Sequence, residues 1–168
     1  YHILYQNRDF DEAEMFIGNL IKYLGLPLNS KIVDIPCGKG RHSIFLNKQG
    51  YDVTGFDLSP ESIKYARQFK NSKLNFHTHD MRDELEVEQV DAVFNIFTSF
   101  GYFNSKEEDQ RCINSFSNAL ASGGKLVVDF INMNKVIPAV VPFERKEANS
   151  LVFFFFIKVE KDCLVKKI

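Results

Sequence analysis

Residues 31–57 read KIVDIPCGKGRHSIFLNKQGYDVTGFD, and this stretch decides the fold. Lys31–Ile35 is a short apolar run of strand type. Asp34–Arg41 is a turn carrying Gly38 and Gly40. Arg41–Lys48 has helical spacing and is closed by Gly50. Asp52–Asp57 is a second strand that ends in an acid. Strand, glycine turn, helix and strand in this order make a parallel βαβ unit.

The same alternation continues downstream. Ser59 caps a helix through about Phe69, with Pro60 at its first position. Leu74–His79 is a third strand, and Val90–Phe97 a fourth. Ser105 opens a helix to about Ala121. Gly123-Gly124 break the chain before a fifth strand, Lys125–Ile131. Upstream, residues 9–24 place Phe16, Ile17, Leu20, Ile21 and Leu24 at helical spacing, with acids in the first turn. After Asn132 come a weak helix and two β-rich runs, Leu151–Glu160 and Cys163–Ile168, separated by a short turn.

The expected fold class is α/β. It is a doubly wound, mostly parallel sheet with helices on both faces, plus a C-terminal antiparallel β hairpin. Residues 1–132 are expected to form a cofactor-binding domain with its N-terminal helix. Residues 133–168 form a β-rich extension or added subdomain, and the pattern leaves open whether the hairpin completes the main sheet. The chain starts at Tyr1 and stops inside a strand-like run, which leaves room for missing segments at either end.

A length of 168 residues suits one main domain with a buried core. The net charge of −1, with basic and acidic residues interspersed, offers no footprint for nucleic acid. No apolar run reaches the roughly 20 residues of a membrane helix. Cys37, Cys112 and Cys163 are widely spaced, which argues against a disulfide framework or a zinc site and for a cytoplasmic setting.

In an open parallel sheet a ligand binds beyond the carboxyl ends of the strands, where their order reverses. Gly38 and Gly40 let the backbone approach such a ligand closely. Asp57 ends the second strand where a ribose-binding acid belongs, about 20 residues after the turn. A phosphate ligand fits poorly. Pro36 removes an N–H donor, and Ser43 stands where a third glycine would be. Asp34 would repel phosphate but suits an ammonium group. These mismatches favour an adenosyl cofactor without phosphate.

Val33-Asp34-Ile35-Pro36-Cys37-Gly38-Lys39-Gly40-Arg41-His42-Ser43 resembles the first motif of class I S-adenosylmethionine-dependent methyltransferases, in a variant with Pro-Cys-Gly. The similarity continues through Gly55–Ser59, His79–Arg82, Asp91–Phe103 and Ser122–Lys125, and it covers roughly residues 10–132. The resemblance implies the Rossmann-like methyltransferase fold, with S-adenosylmethionine as cofactor and S-adenosylhomocysteine as product. It places Asp34 near the methionine end, with the backbone of Pro36, Cys37 and Gly38 close by, and Gly40 in the same cofactor-binding turn. It gives the ribose hydroxyls to Asp57, with Leu58 packing on the adenine. It gives the adenine amino group to Asp80 and the ring edge to the Met81 backbone. Asn95 and Phe97 come to lie under the methionine and sulfonium. No Asn/Asp-Pro-Pro-Tyr/Phe run follows the fourth strand, which speaks against methylation of nucleobase or glutamine amino groups.

Other residues carry weaker signals. His77 and His79 alternate on one strand, but lack a third ligand, so a structural role is expected and no metal. His42 is expected in the first turn of a helix, facing solvent or a neighbouring loop. Phe97, Phe100, Tyr102 and Phe103 either line a substrate pocket or pack the core. Tyr1 and Tyr5 either reach over the cofactor or lie on the surface, and Arg8 with Asp9 form an exposed pair. Phe153–Phe156 puts apolar side chains on both faces of its strand, which suits a covered strand or a homodimer contact. The expected activity is methyl transfer to a small-molecule acceptor. The alternatives are a non-catalytic adenosyl-cofactor-binding module and a dinucleotide-dependent oxidoreductase. No catalytic residue is assigned.

Overall fold

The computed structural model describes residues 10–97, 99–103, 105–148, 151–160 and 163–167. The chain divides into two compact units, with the boundary between Phe130 and Ile131.

The first unit runs α1 (Phe10–Leu24), β1 (Lys31–Asp34), α2 (Arg41–Lys48), β2 (Asp52–Asp57), α3 (Pro60–Ala66), β3 (Leu74–Thr78), β4 (Val90–Asn95), α4 (Lys106–Ala119) and β5 (Leu120–Val128). Local chemistry sets the helix ends. The Ser59 hydroxyl accepts the Ser62 N–H at the start of α3, with Pro60 behind it. Ser105 caps α4 in the same way through the Glu108 N–H, and three acids fill the first turn. α1 closes at Gly25, whose N–H donates to the Ile21 carbonyl.

The five strands are all parallel, in the order β3-β2-β1-β4-β5. The order reverses between β1 and β4, so the switch point lies beyond Asp34 and Asn95. Successive side chains enter opposite layers. Ile32, Val53, Phe76 and Phe94 pack with α1, α2 and α3. Val33, Phe56 and Val93 pack with Cys112 and Phe116 of α4. In the first layer the Phe76 ring fills space left by Gly40 and Gly55. A Cβ would come within 2.8 Å of it at Gly40 and 2.6 Å at Gly55.

Several boundaries differ from the sequence expectation. β1 stops at Asp34 rather than Ile35, ahead of Pro36, which has no N–H to continue the ladder. β3 stops at Thr78, one residue early. β4 stops at Asn95 because Phe97 takes a φ of 66°, outside strand geometry. α4 ends at Ala119, and β5 starts immediately at Leu120 and ends at Val128. Gly123-Gly124 do not precede this strand but lie inside it. Leu120 pairs with Val90 and Lys125 with Ala92, so four residues of β5 bulge out against one of β4.

The second unit contains α5 (Met133–Val136), a 3-10 turn at Ile137–Ala139, β6 (Phe143–Ala148), β7 (Leu151–Glu160) and β8 (Cys163–Lys167). β7 and β8 form the expected antiparallel hairpin, with Glu160 opposite Cys163. β6 adds a third strand that its polar sequence, Phe-Glu-Arg-Lys-Glu-Ala, did not announce. The three make a sheet of their own, so the hairpin does not complete the parallel sheet. Among the described residues no helix is long and apolar enough to cross a membrane.

Candidate cofactor site

β1 and β2 deliver two carboxylates to the same end of the sheet, and the turn between β1 and α2 joins them. The Gly38 N–H donates to Asp57 Oδ2 at 2.8 Å, and the Cys37 N–H to the Phe56 carbonyl at 2.7 Å. Asp57 Oδ1 accepts the Ser59 N–H at 2.8 Å. Each Asp57 oxygen therefore keeps lone-pair capacity for a ligand hydroxyl. Gly38 and Gly40 have φ of 56° and 84°, conformations that a side chain disfavours. Pro36 is half-buried, and a Cβ at Gly38 would meet nothing within 4 Å, so the turn borders open space.

Asp34 is wholly buried, and its Oδ2 accepts the Ser43 hydroxyl at 2.6 Å. Its Oδ1 has no hydrogen-bond partner among the described residues. Burial pushes the carboxyl up to about 7, opposed by the Ser43 hydrogen bond and reinforced by the nearby Asp57 charge. A buried carboxylate with one oxygen unmet is the feature an incoming ammonium group would satisfy. Cys37 is buried beside it, its thiol donates toward the Gly38 carbonyl, and burial raises its pKa far above the usual thiol range. That makes it an inert packing group.

β3 and β4 supply the rest. The His79 N–H donates to the Asp57 carbonyl at 3.0 Å, which brings Asp80 and Met81 beside β2. The Asp80 carboxylate accepts the Arg82 backbone N–H and its guanidinium, at 2.6 Å for Nη2. These hydrogen bonds hold Asp80 down at about 2. Arg82 also donates to Glu108 of α4 at 2.5 Å. Asn95 is wholly buried, and its Nδ2 donates to the Ile35 carbonyl at 2.8 Å and toward Met81 Sδ at 3.6 Å. Its Oδ1, like Asp34 Oδ1, lacks a partner among the described residues. Leu58 is 65% exposed, an apolar side chain left open beside Asp57.

The aromatic group after β4 divides. Phe97 packs in the layer with α2, and Phe100 and Phe103 pack in the layer with α4. Tyr102 is exposed. The Phe97 N–H donates to Asp129, whose own N–H donates to the Asn95 carbonyl, so the ends of β4 and β5 are tied together. The Arg41 guanidinium lies 4.1 Å from the centre of the Phe97 ring.

His42 departs from expectation. It is in the first turn of α2 but buried, and its ring stacks on Phe97 at 5.0 Å. Burial lowers its pKa to about 3, so it is neutral, because Phe97 closes over the side expected to meet solvent. His77 and His79 both rest on the Phe56 ring, at 5.6 and 5.3 Å. Tyr1, Tyr5, Arg8 and Asp9 lie outside the described residues.

All eleven candidate residues thus gather at one end of the parallel sheet. Sequence reading missed Ser43 as a partner of Asp34, Arg82 as a partner of Asp80, and Asp129. Asp129 had a signal: it is an acid at the carboxyl end of an apolar strand run, as Asp57 is.

A methyltransferase domain model matches residues 28–158. The chain belongs to the methyltransferase domain family. It is 30% identical over 131 residues to the dTDP-3-amino-3,4,6-trideoxy-alpha-D-glucopyranose N,N-dimethyltransferase of Streptomyces venezuelae, covering 77% of this chain and 54% of that protein. The chain spans about half the length of the curated relatives it matches. Its fold matches a crystal structure of an S-adenosylmethionine-dependent methyltransferase from Clostridium acetobutylicum, with a TM-score of 0.79 at 16% identity, covering 98% of this chain and 68% of that one. It also matches an amino pentose methyltransferase from Micromonospora echinaspora solved with S-adenosylmethionine bound, with a TM-score of 0.67 at 20% identity, covering 92% and 66%. These methyltransferase relatives share the doubly wound, Rossmann-like sheet described above.

Proposed function

We propose that this chain binds S-adenosylmethionine at the carboxyl ends of β1, β2 and β4 and transfers its methyl group to a small-molecule acceptor, leaving S-adenosylhomocysteine. The observation that carries the reading is the pair of carboxylates around the Gly38 turn: Asp57 with acceptor capacity left, and buried Asp34 with Oδ1 unmet. Asp57 suits two ribose hydroxyls and Asp34 suits the α-ammonium. Leu58 and Met81 supply apolar contact for the adenine, and Asp80 accepts its amino group. Arg82 already engages both Asp80 oxygens, so the adenine would share that carboxylate rather than own it. The backbone of Pro36, Cys37, Gly38 and Gly40 borders the methionine chain, and Asn95 and Phe97 form the floor on the side of β4.

The cofactor supplies a methyl group on a sulfonium that departs as a neutral thioether. The protein's part is then to align the acceptor and exclude water. An amine that arrives neutral attacks with its lone pair and sheds its proton afterwards, so no strong base is required. The neutral state of buried His42 agrees with that, because its low pKa makes it a poor base. The amino-sugar enzymes among the relatives make amines on small polar molecules the first acceptors to try. The near-neutral charge supports a partner other than nucleic acid. We assign cofactor binding to residues 1–132 and treat residues 133–168 as an added unit, with exposed Phe154 and Phe156 of β7 as a self-association face in a homodimer. Buried, unpaired Cys37 and Cys112 suit a cytoplasmic setting.

Titration calorimetry with S-adenosylmethionine and S-adenosylhomocysteine tests the site. Binding is expected for the natural chain, with a loss on the order of 100-fold for Asp57→Ala, the scale of two hydrogen bonds to a charged group. Unchanged affinity in that variant would remove Asp57 from the site. Stabilisation by NAD alone in a melting screen would overturn the cofactor class.

A further inference from the structure

We propose that Ser43 is a positioning residue for the cofactor's amino-acid end: its hydroxyl turns and holds the Asp34 carboxylate so that Oδ1 stays open to the ligand's ammonium. The inference rests on the reading of Asp34 above and extends it to a residue that touches no ligand.

A serine inside a helix ordinarily bonds back to its own helix's carbonyls. Ser43, the third residue of α2, instead sends its hydroxyl to Asp34 Oδ2 at 2.6 Å, and both side chains are fully buried. The backbone geometry makes this possible. Gly40, with φ 84°, stands at the head of α2, and its N–H donates to the Cys37 carbonyl at 2.9 Å. The chain thereby doubles back and sets the first turn of α2 against the end of β1. A residue without a hydroxyl at 43 would take this donor away from Asp34 Oδ2.

The second observation is what Asp34 lacks. Among the described residues no Lys, Arg or His lies within 4 Å of it, and Oδ1 has no partner. A buried carboxylate without a cation takes up a proton or waits for a cation. The titratable groups around it are Asp57 at the end of β2, which disfavours ionisation, Arg41 at the start of α2, which favours it, and the Cys37 thiol in the turn. On β4 the residue in register with Asp34 is Phe94, which is neutral. The Ser43 hydroxyl is the largest influence that favours ionisation, with the Ser43 backbone as a smaller one. Ligand ammonium and proton therefore compete for one carboxylate, and Ser43 sets the terms.

The test is calorimetric affinity for S-adenosylhomocysteine between pH 6 and 8.5. Natural-chain affinity should fall as pH drops below 7, as Asp34 takes up its proton. Ser43→Ala should bind about tenfold more weakly at pH 7, with the midpoint of the profile moved to higher pH and affinity recovering at the alkaline end. Ser43→Thr keeps the donor and should restore both affinity and midpoint. Asp57→Ala should weaken binding yet move the midpoint the other way, because it removes a negative charge near Asp34. Melting curves confirm that each variant is folded. Ser43→Ala with natural affinity and an unmoved midpoint would overturn the role of Ser43 while leaving the site intact. No binding by the natural chain at any pH would overturn the cofactor site and this inference together.

Discussion

The two sheets of this molecule solve burial in opposite ways. In the parallel sheet, β4 buries five of its six residues, Val90 and Ala92–Asn95. In the antiparallel sheet, β7 carries an equally apolar run, yet Phe154 is 46% exposed and Phe156 56%, with only Phe155 fully buried. Parallel strands need crossover helices, and those helices cover both faces. A hairpin needs only a short turn, so nothing in its connection obliges its second face to be covered. The functional difference follows. In the covered sheet, the polar strand residues that are fully buried are Asp34 and Asn95, both at strand ends, and Asp57 ends β2 beside them. In the other sheet apolar and charged side chains share the same exposed face.

The largest expected effect breaks the comparison at one ring. Phe76→Ala should cost about 3–5 kcal/mol in urea unfolding, because the ring is 2% exposed and seated between Gly40 and Gly55. The same truncation at half-exposed Phe154 should cost under about 1 kcal/mol. Equal losses would mean that the second sheet is covered in solution.

A middle-sized effect concerns the buried ends of β1 and α2. Asp34 is raised from 3.8 to about 7, so the native state holds its proton longer, and this group makes stability fall as pH rises from about 4 to 7. His42 is lowered from 6.5 to about 3, so the native state holds fewer protons, and this group makes stability rise with pH over about 3 to 6.5. The two slopes oppose between pH 4 and 6.5. Asp34→Asn should unmask His42 and leave a stability that climbs by about 1 kcal/mol per pH unit in that window. A flat profile in the variant would show that His42 is solvated.

The smallest effect belongs to the second sheet. Arg145 and Glu147 pair on exposed β6, both side chains more than half accessible. Arg145→Ala should shift stability by no more than about 0.5 kcal/mol, and less in high salt. A larger loss would show that this face is buried against a partner.

Most of the parallel unit was legible because its signals are local. The helix caps at Ser59 and Ser105, the bounds of α2 and β2, and the acid at Asp57 all follow from residue type and spacing. β6 was not legible, since Phe-Glu-Arg-Lys-Glu-Ala has little apolar content and becomes a strand only by pairing with β7. The end of β4 was not legible either. Phe97 has strand propensity, but its N–H is taken by Asp129, 32 residues away, and its backbone turns to φ 66°.

The site divides along the same line. The sequence by itself determined the turn, with its two glycines, its proline and acids at the ends of two strands, because a tight strand-to-helix connection constrains residue type over a few positions. Only the tertiary structure decided what those residues face. Ser43 was a glycine that failed to appear until the return of α2 placed its hydroxyl on Asp34. His42 was a surface histidine until Phe97 closed over it. Burial and hydrogen-bond partnership are properties of chain segments far apart in sequence, and the charge state of a buried acid or imidazole depends on both.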